Sequence, residues 1–113
     1  MDKKIVYWID DERSPEWFFA EEFFKEFTVI WIKDYSMFEF FLKHLGVPYE
    51  IHFDHDLGNT EGYTGFDCAK LLVNYCIDNC APLPEKYDCH SSNPCGRENI
   101  MSLLNSYKKS LEL

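Results

Sequence analysis

Ile5-Val6-Tyr7-Trp8-Ile9-Asp10-Asp11-Glu12-Arg13 is a β-branched and aromatic run that stops abruptly at four charged residues. A short continuous apolar run of this kind predicts a parallel strand buried on both faces, with its charges collected at the carboxyl end. Working outward, Ser14-Pro15 supplies an N-cap and a proline suited to a first helical turn. A helix is expected over 15–27, with Trp17, Phe18, Ala20, Phe24 and Phe27 on a broad apolar face and Glu16, Glu21, Glu22 and Lys25 opposite. Residues 28–32 read as a second strand. Residues 35–45 read as a helix with Phe38, Phe41, Leu42 and Leu45 on one stripe and Gly46 as its stop. A third strand is expected over 49–54, a third helix from about 65 to 80, and a fourth strand over 87–91. A last helix starts at Pro94, carrying Ile100, Leu103, Leu104, Tyr107 and Leu111. The order β-α-β-α-β-α-β-α predicts a small open, parallel, four-stranded α/β sheet with helices on both faces.

The chain has 113 residues, with 11 Lys+Arg against 20 Asp+Glu for a formal net charge of -9. That length fits a single domain spanning 1–113, able to bury roughly 60–70% of its unfolded surface without staples. The 18% aromatic content argues against a disordered tail. The acidic balance argues against duplex DNA as a partner, since such binding rests on Lys and Arg neutralising phosphates. It leaves room for a small phosphorylated ligand held through a metal ion. No apolar run is long enough to span a membrane, and the N-terminal run is too short for a signal peptide. A cytoplasmic location is expected.

The five cysteines cannot all pair within one chain. Cys68, Cys76 and Cys80 are expected on one face of the third helix as small apolar side chains. A zinc site would want a tighter pair of knuckles, and redox use is the remaining alternative. Cys89 and Cys95 flank the loop that ends the fourth strand.

In open parallel sheets ligands sit outside the carboxyl ends of the strands. Here the first strand ends in Asp10, Asp11, Glu12 and Arg13, the third in Asp54, His55 and Asp56, and the fourth in His90, Ser91, Ser92 and Asn93. If these strands are neighbours, the groups converge. Close carboxylates repel unless a cation lies among them, and such oxygen ligands suit Mg²⁺ or Mn²⁺. Asp10, Asp11 and Asp54 are the candidate ligands, with Asp56 either a fourth or an orienting neighbour; the alternative is a set of solvated strand ends. His90 is the main acid/base candidate, beside a helix N-terminus whose amides favour an anion. The alternative for it is a buried ring satisfied by backbone. His55 is either a second acid/base or, by strand alternation, turned away from Asp54 and Asp56. His44 and His52 have no supporting neighbours and are expected to be structural or exposed. Arg13, Ser91, Ser92, Asn93 and Gly96 are candidate phosphate or substrate contacts, with pairing to one of the surrounding carboxylates the alternative for Arg13. The glycine loop 57–65 lacks the Lys-Ser/Thr of a phosphate-binding Walker motif; it reads as a flap or close-approach turn, with Thr64 placed to cap the third helix.

Asp10-Asp11, Asp54 and Ser91 or Ser92 at three strand ends resemble a response-regulator receiver domain, in the flavodoxin-like class. In that family the acidic pair and the third-strand aspartate hold Mg²⁺, and the latter accepts a phosphoryl group. The chain departs from the pattern in stopping after the fourth helix, without the fifth strand and its lysine, and in adding His55 and His90. The segments Ile9-Asp10-Asp11-Glu12-Arg13, Phe53-Asp54-His55-Asp56-Leu57-Gly58 and His90-Ser91-Ser92-Asn93-Pro94-Cys95-Gly96 more closely resemble the cyclic-phosphate processing receiver domains, over almost the whole chain. That resemblance implies action on cyclic-phosphate ends of RNA or on related nucleotides.

The expected function is a metal-dependent phosphoesterase acting on an RNA 2′,3′-cyclic phosphate end or a cyclic nucleotide, with His90, Asp54 and His55 as catalytic candidates. The alternatives are a receiver-like signalling module phosphorylated on Asp54, and a non-catalytic protein that sequesters a nucleotide. The last would suit a virus of bacteria acting in its host's cytoplasm. Surplus apolar residues at Trp17, Phe19, Phe23 and Phe40 mark the expected surface of a homodimer.

Overall fold

The computed structural model describes residues 2–58 and 62–112. Strand β1 (Lys4–Ile9) is followed by a 3₁₀ turn (Pro15–Trp17), helix α1 (Glu21–Glu26), β2 (Phe27–Ile32) and α2 (Tyr35–Leu45). Then come β3 (Glu50–Phe53), α3 (Gly65–Asn79), β4 (Lys86–Cys89) and α4 (Pro94–Ser110). Every strand pairing is parallel, and the order is β2-β1-β3-β4. The first, third and fourth strands are therefore neighbours, so their carboxyl ends lie side by side.

Alternation along the strands divides the interior in two. Tyr7, Ile9, Ile32, Ile51, Phe53 and Cys89 face a core filled by Phe38, Leu42, Leu72, Ile100 and Leu104 from α2, α3 and α4. Val6 and Trp8 face the other way and meet Phe19, with Phe23, Phe24 and Phe27 packed around them. Helices thus cover both faces, three on one and the short α1 on the other.

Local chemistry explains the helix limits. Asp34 Oδ1 accepts from the Met37 amide to start α2, and Gly46, at φ +82°, ends it. Thr64 and Asp67 form a reciprocal capping box at α3. Asn93 caps α4 by accepting from the Gly96 amide, with Pro94 in the first turn.

The continuous helix expected over 15–27 is not formed. Ser14 makes no side-chain cap, the 3₁₀ turn stops at Trp17, and Ala20 is extended before α1 begins. Three successive aromatics, Trp17-Phe18-Phe19, span about 200° of a helical wheel and cannot all reach one buried face. The break lets Phe19 enter the core while Trp17 and Phe18 stay exposed. Phe19 is accordingly buried and Phe23 half-buried, so neither belongs to an exposed dimer patch; Trp17 and Phe40 do remain exposed. Cys68 and Cys76 are buried in the core as expected, but Cys80 is the exposed left-handed cap of α3. Among the described residues no helix is long and apolar enough to cross a membrane.

Candidate functional site

The abrupt stop of β1 places Asp10 where its carboxylate folds back on the chain. Asp10 Oδ1 accepts from the Glu12 and Arg13 amides at 2.9 and 2.8 Å, and Oδ2 accepts from Arg13 Nε at 2.7 Å. Asp54 follows β3 directly and is 8% exposed. Oxygens of Asp10, Asp11 and Asp54 lie within 4.8 Å of one another. They open onto a cleft of about 560 Å³ whose walls include Arg13, Asp56, Gly58, Thr64 and Ser92.

Two glycines let the chain close around this cluster. A Cβ on Gly65 would stand 1.9 Å from the Asp54 carbonyl oxygen, and one on Gly58 would stand 3.2 Å from Asp11 Oδ2. Gly65 is thus a close-approach position between α3 and the end of β3. Positions 59–61 of the expected flap lie outside the described residues.

Burial pushes the Asp54 carboxyl up to about 6; Asp10 raises it further, and Arg13 pulls the other way. Arg13 is the cation within reach: Nη2 lies 3.7 Å from Asp54 Oδ1 while Nε holds Asp10. The donors are all carboxylate oxygens, the set that hard divalent cations take. The residues therefore fit Mg²⁺ or Mn²⁺, with Arg13 occupying part of the cation's electrostatic place.

The other candidates divide between this cleft and its surroundings. Asp56 lines the cleft but lies outside the convergent trio, with its Oδ1 3.1 Å from His55 Nδ1. Ser92 lines the cleft, whereas Ser91 Oγ accepts from the Asn93 amide. Asn93 and the Gly96 amide are bonded to each other at 3.0 Å. Gly96 is buried against the His55 ring, where a Cβ would meet His55 Cγ at 2.3 Å. His55 is therefore turned toward α4 and not into the cleft, the second of the two orientations that strand alternation allows.

His90 does not line the acidic cleft either. Its ring lies on the α1 side of the sheet, against Phe18 at 4.3 Å and Trp8 at 5.4 Å between centroids. Its Nε2 is 2.7 Å from His52 Nδ1, and His52 Nε2 is 2.5 Å from Glu50 Oε2. His52, expected to lack supporting neighbours, is the buried centre of a three-residue chain. Glu50 was not singled out in the sequence at all. The available signal was the Glu50-x-His52 spacing, which puts both on one face of a strand, beside the strand that ends at His90. Burial, the neighbouring His52 and Arg13 lower the His90 ring below its ordinary value, against the pull of Asp88. The His90 carbonyl accepts from Arg13 Nη2 at 2.5 Å, so one guanidinium spans the acid cluster and the His90 backbone.

The family model described as the cyclic-phosphate processing receiver domain matches residues 5–106. The chain belongs to that family. A solved chain described as a fusion with the yeast Spc42 trimeric coiled coil, amino acids 181–211, is similar at a TM-score of 0.57 and 16% identity. The similarity covers 99% of this chain and 83% of that one, and at this identity it supports the fold alone. Among curated proteins none matches significantly. The receiver-like architecture and the family expected from the three strand-end motifs are thus both present.

Proposed function

We propose that this receiver domain is a metal-dependent phosphoesterase that opens a cyclic phosphate, at an RNA 2′,3′-cyclic end or in a cyclic nucleotide. The observation that carries the reading is the convergence of Asp10, Asp11 and Asp54 within 4.8 Å at the ends of two adjacent strands. These three residues would hold Mg²⁺ or Mn²⁺, which when bound polarises a phosphoryl oxygen and activates water. Arg13, already beside the cluster, offers a planar guanidinium for a second phosphoryl oxygen. Ser92 on the cleft wall offers a hydroxyl for the rest of the phosphate.

The test is a product assay with Mg²⁺ or Mn²⁺ on a 2′,3′-cyclic-phosphate oligoribonucleotide, 2′,3′- and 3′,5′-cyclic mononucleotides and cyclic dinucleotides. Ring opening that needs the cation and is lost in Asp54→Asn supports the reading. Near-normal turnover in that variant overturns it. A panel member bound and recovered intact would favour a sequestering protein. Phosphate uptake on Asp54 from a small phosphodonor, without diester turnover, would favour a signalling receiver.

A further inference from the structure

We propose that Glu50, His52 and His90 form a proton relay whose outer end, His90 Nδ1, is the general base for hydrolysis of a phosphate ester held at Arg13, whose Nη2 reaches from Asp54 at the cleft edge to the His90 carbonyl; this rests on the phosphoesterase reading above. Glu50 and His52 are only 7% and 6% exposed, and neither touches the acidic cleft. Burying two such groups is costly unless each is hydrogen-bonded, and here they satisfy one another in a line.

The line has a direction. The Glu50 carboxylate accepts from His52 Nε2–H, which leaves His52 Nδ1 as an acceptor for His90 Nε2–H. His90 Nδ1 then carries the lone pair, and among the described residues no hydrogen bond engages it. The imidazole of His90 packs against both Trp8 and Phe18, which also stack on each other, so its Nδ1 edge is the part left for chemistry. The arrangement is not a metal site: Glu50 and His90 meet opposite nitrogens of His52, so no single ion can touch all three.

In the reaction, a water oxygen bonds to phosphorus as one ring P–O bond breaks. The water's proton passes to His90 Nδ1, and the freed ring oxygen takes a proton from solvent, giving the monoester. The positive charge arriving on His90 is stabilised through His52 by Glu50. His90 is the catalytic residue, and Glu50 and His52 are positioning residues.

Acylation of imidazole by diethyl pyrocarbonate, followed by peptide mass spectrometry, reads the relay without a substrate. The exposed His44 serves as internal reference. Glu50→Gln is nearly isosteric; His52→Gln interrupts the centre and serves if the first variant does not fold. Either variant is expected to slow His90 acylation about tenfold relative to His44, the scale of a lost charge-assisted hydrogen bond. On a cyclic phosphate that the wild type opens, the same variants are expected to lower kcat about 10²-fold with KM unchanged. Unchanged His90 reactivity in a folded variant overturns the relay, whatever the product assay shows, as does unchanged kcat. Slowed acylation without turnover by the wild type keeps the hydrogen-bonded relay but overturns the phosphoesterase reading and, with it, the general-base role of His90.

Discussion

Strand β3 presents Ile51 and Phe53 to a core closed over by α2, α3 and α4, and presents Glu50 and His52 to a layer roofed by a 3₁₀ turn and one short helix. The two faces of one four-residue strand thus do different work. On the thick face, close packing of apolar side chains supplies stability. On the thin face, aromatic rings from Trp8, Phe18 and Phe19 surround a hydrogen-bonded polar chain. The carboxyl ends of the strands, where Arg13 bridges Asp10 and the His90 carbonyl, are where the two meet. The lesson is that helix coverage sorts the roles: where cover is deep the residues are structural, and where it is thin the buried polar groups sit near solvent.

The most disruptive way to break this division is at the seam. Gly65→Ala would drive a methyl into the Asp54 carbonyl, 1.9 Å from the new carbon, and backbone cannot yield as a side-chain tip can. A loss of more than about 3 kcal/mol is expected in urea titration. Wild-type stability in that variant would mean α3 does not abut β3 as described.

The two faces should also differ in their tolerance of truncation. Leu72→Ala, fully buried on the thick face, is expected to cost about 2–5 kcal/mol. Trp17→Ala, 57% exposed on the thin face, is expected to cost less than about 1 kcal/mol. Equal costs would erase the contrast.

This contrast also explains what could be read from sequence. The thick face was legible because Phe38 and Leu42 on α2, and Ile100 and Leu104 on α4, recur at helical spacing beneath continuous apolar strands. The acidic cluster was legible because parallel topology sends every strand end to one edge, so Asp10, Asp11 and Asp54 converge without any long-range signal in the sequence. The thin face was not legible. Its helix broke at Trp17-Phe18-Phe19, and its key interactions join residues 38 positions apart, His52 and His90. A glutamate in a strand ordinarily faces water. Only the β3–β4 pairing, with His52 opposite Asp88 and Phe53 opposite Cys89, makes burial of Glu50 and His52 beside His90 intelligible.

Asp54 offers a sharper test of whether the seam is built for a cation. The folded protein holds the Asp54 proton up to about pH 6, whereas the ordinary value is 3.8. The native state therefore binds the extra proton between those values, and stability falls as pH rises through that window. Above it, the ionised carboxylate costs about 2–3 kcal/mol in the absence of a cation. Asp54→Asn is expected to stabilise the metal-free protein by about 1–3 kcal/mol at pH 7, with the gain vanishing near pH 4. If the cluster takes a divalent cation, Mg²⁺ or Mn²⁺ raises Tm in the wild type and not in the variant. Destabilisation at pH 7 would show that Asp54 is already compensated by Arg13.

The smallest effect lies where the thick face begins. Thr64 accepts from the Asp67 amide at 3.4 Å, while its own amide donates to Asp67 Oδ2 at 2.8 Å. Thr64→Ala removes the first bond and the hydroxyl's own donation to Asp67 Oδ2 at 3.2 Å, and keeps the second, so a cost of about 0.5–1 kcal/mol is expected. The retained bond is the chief reason the Asp67 carboxyl is held below its ordinary value. Its stabilisation is thus present above that ordinary value and is lost only as pH falls through the lower, folded one. The variant also lacks the hydroxyl bond that helps hold the carboxyl down, so it should lose the Asp67 contribution at a somewhat higher pH in acid, while the difference between the two proteins stays nearly constant at neutral pH. Because Thr64 also lines the acidic cleft, Mg²⁺ affinity measured beside stability separates two roles. A cap acting alone leaves the affinity unchanged, since Asp10, Asp11 and Asp54 are untouched. A fall of tenfold, about 1.4 kcal/mol, would exceed the whole expected cost of the cap and assign the Thr64 hydroxyl to the bound cation or its water.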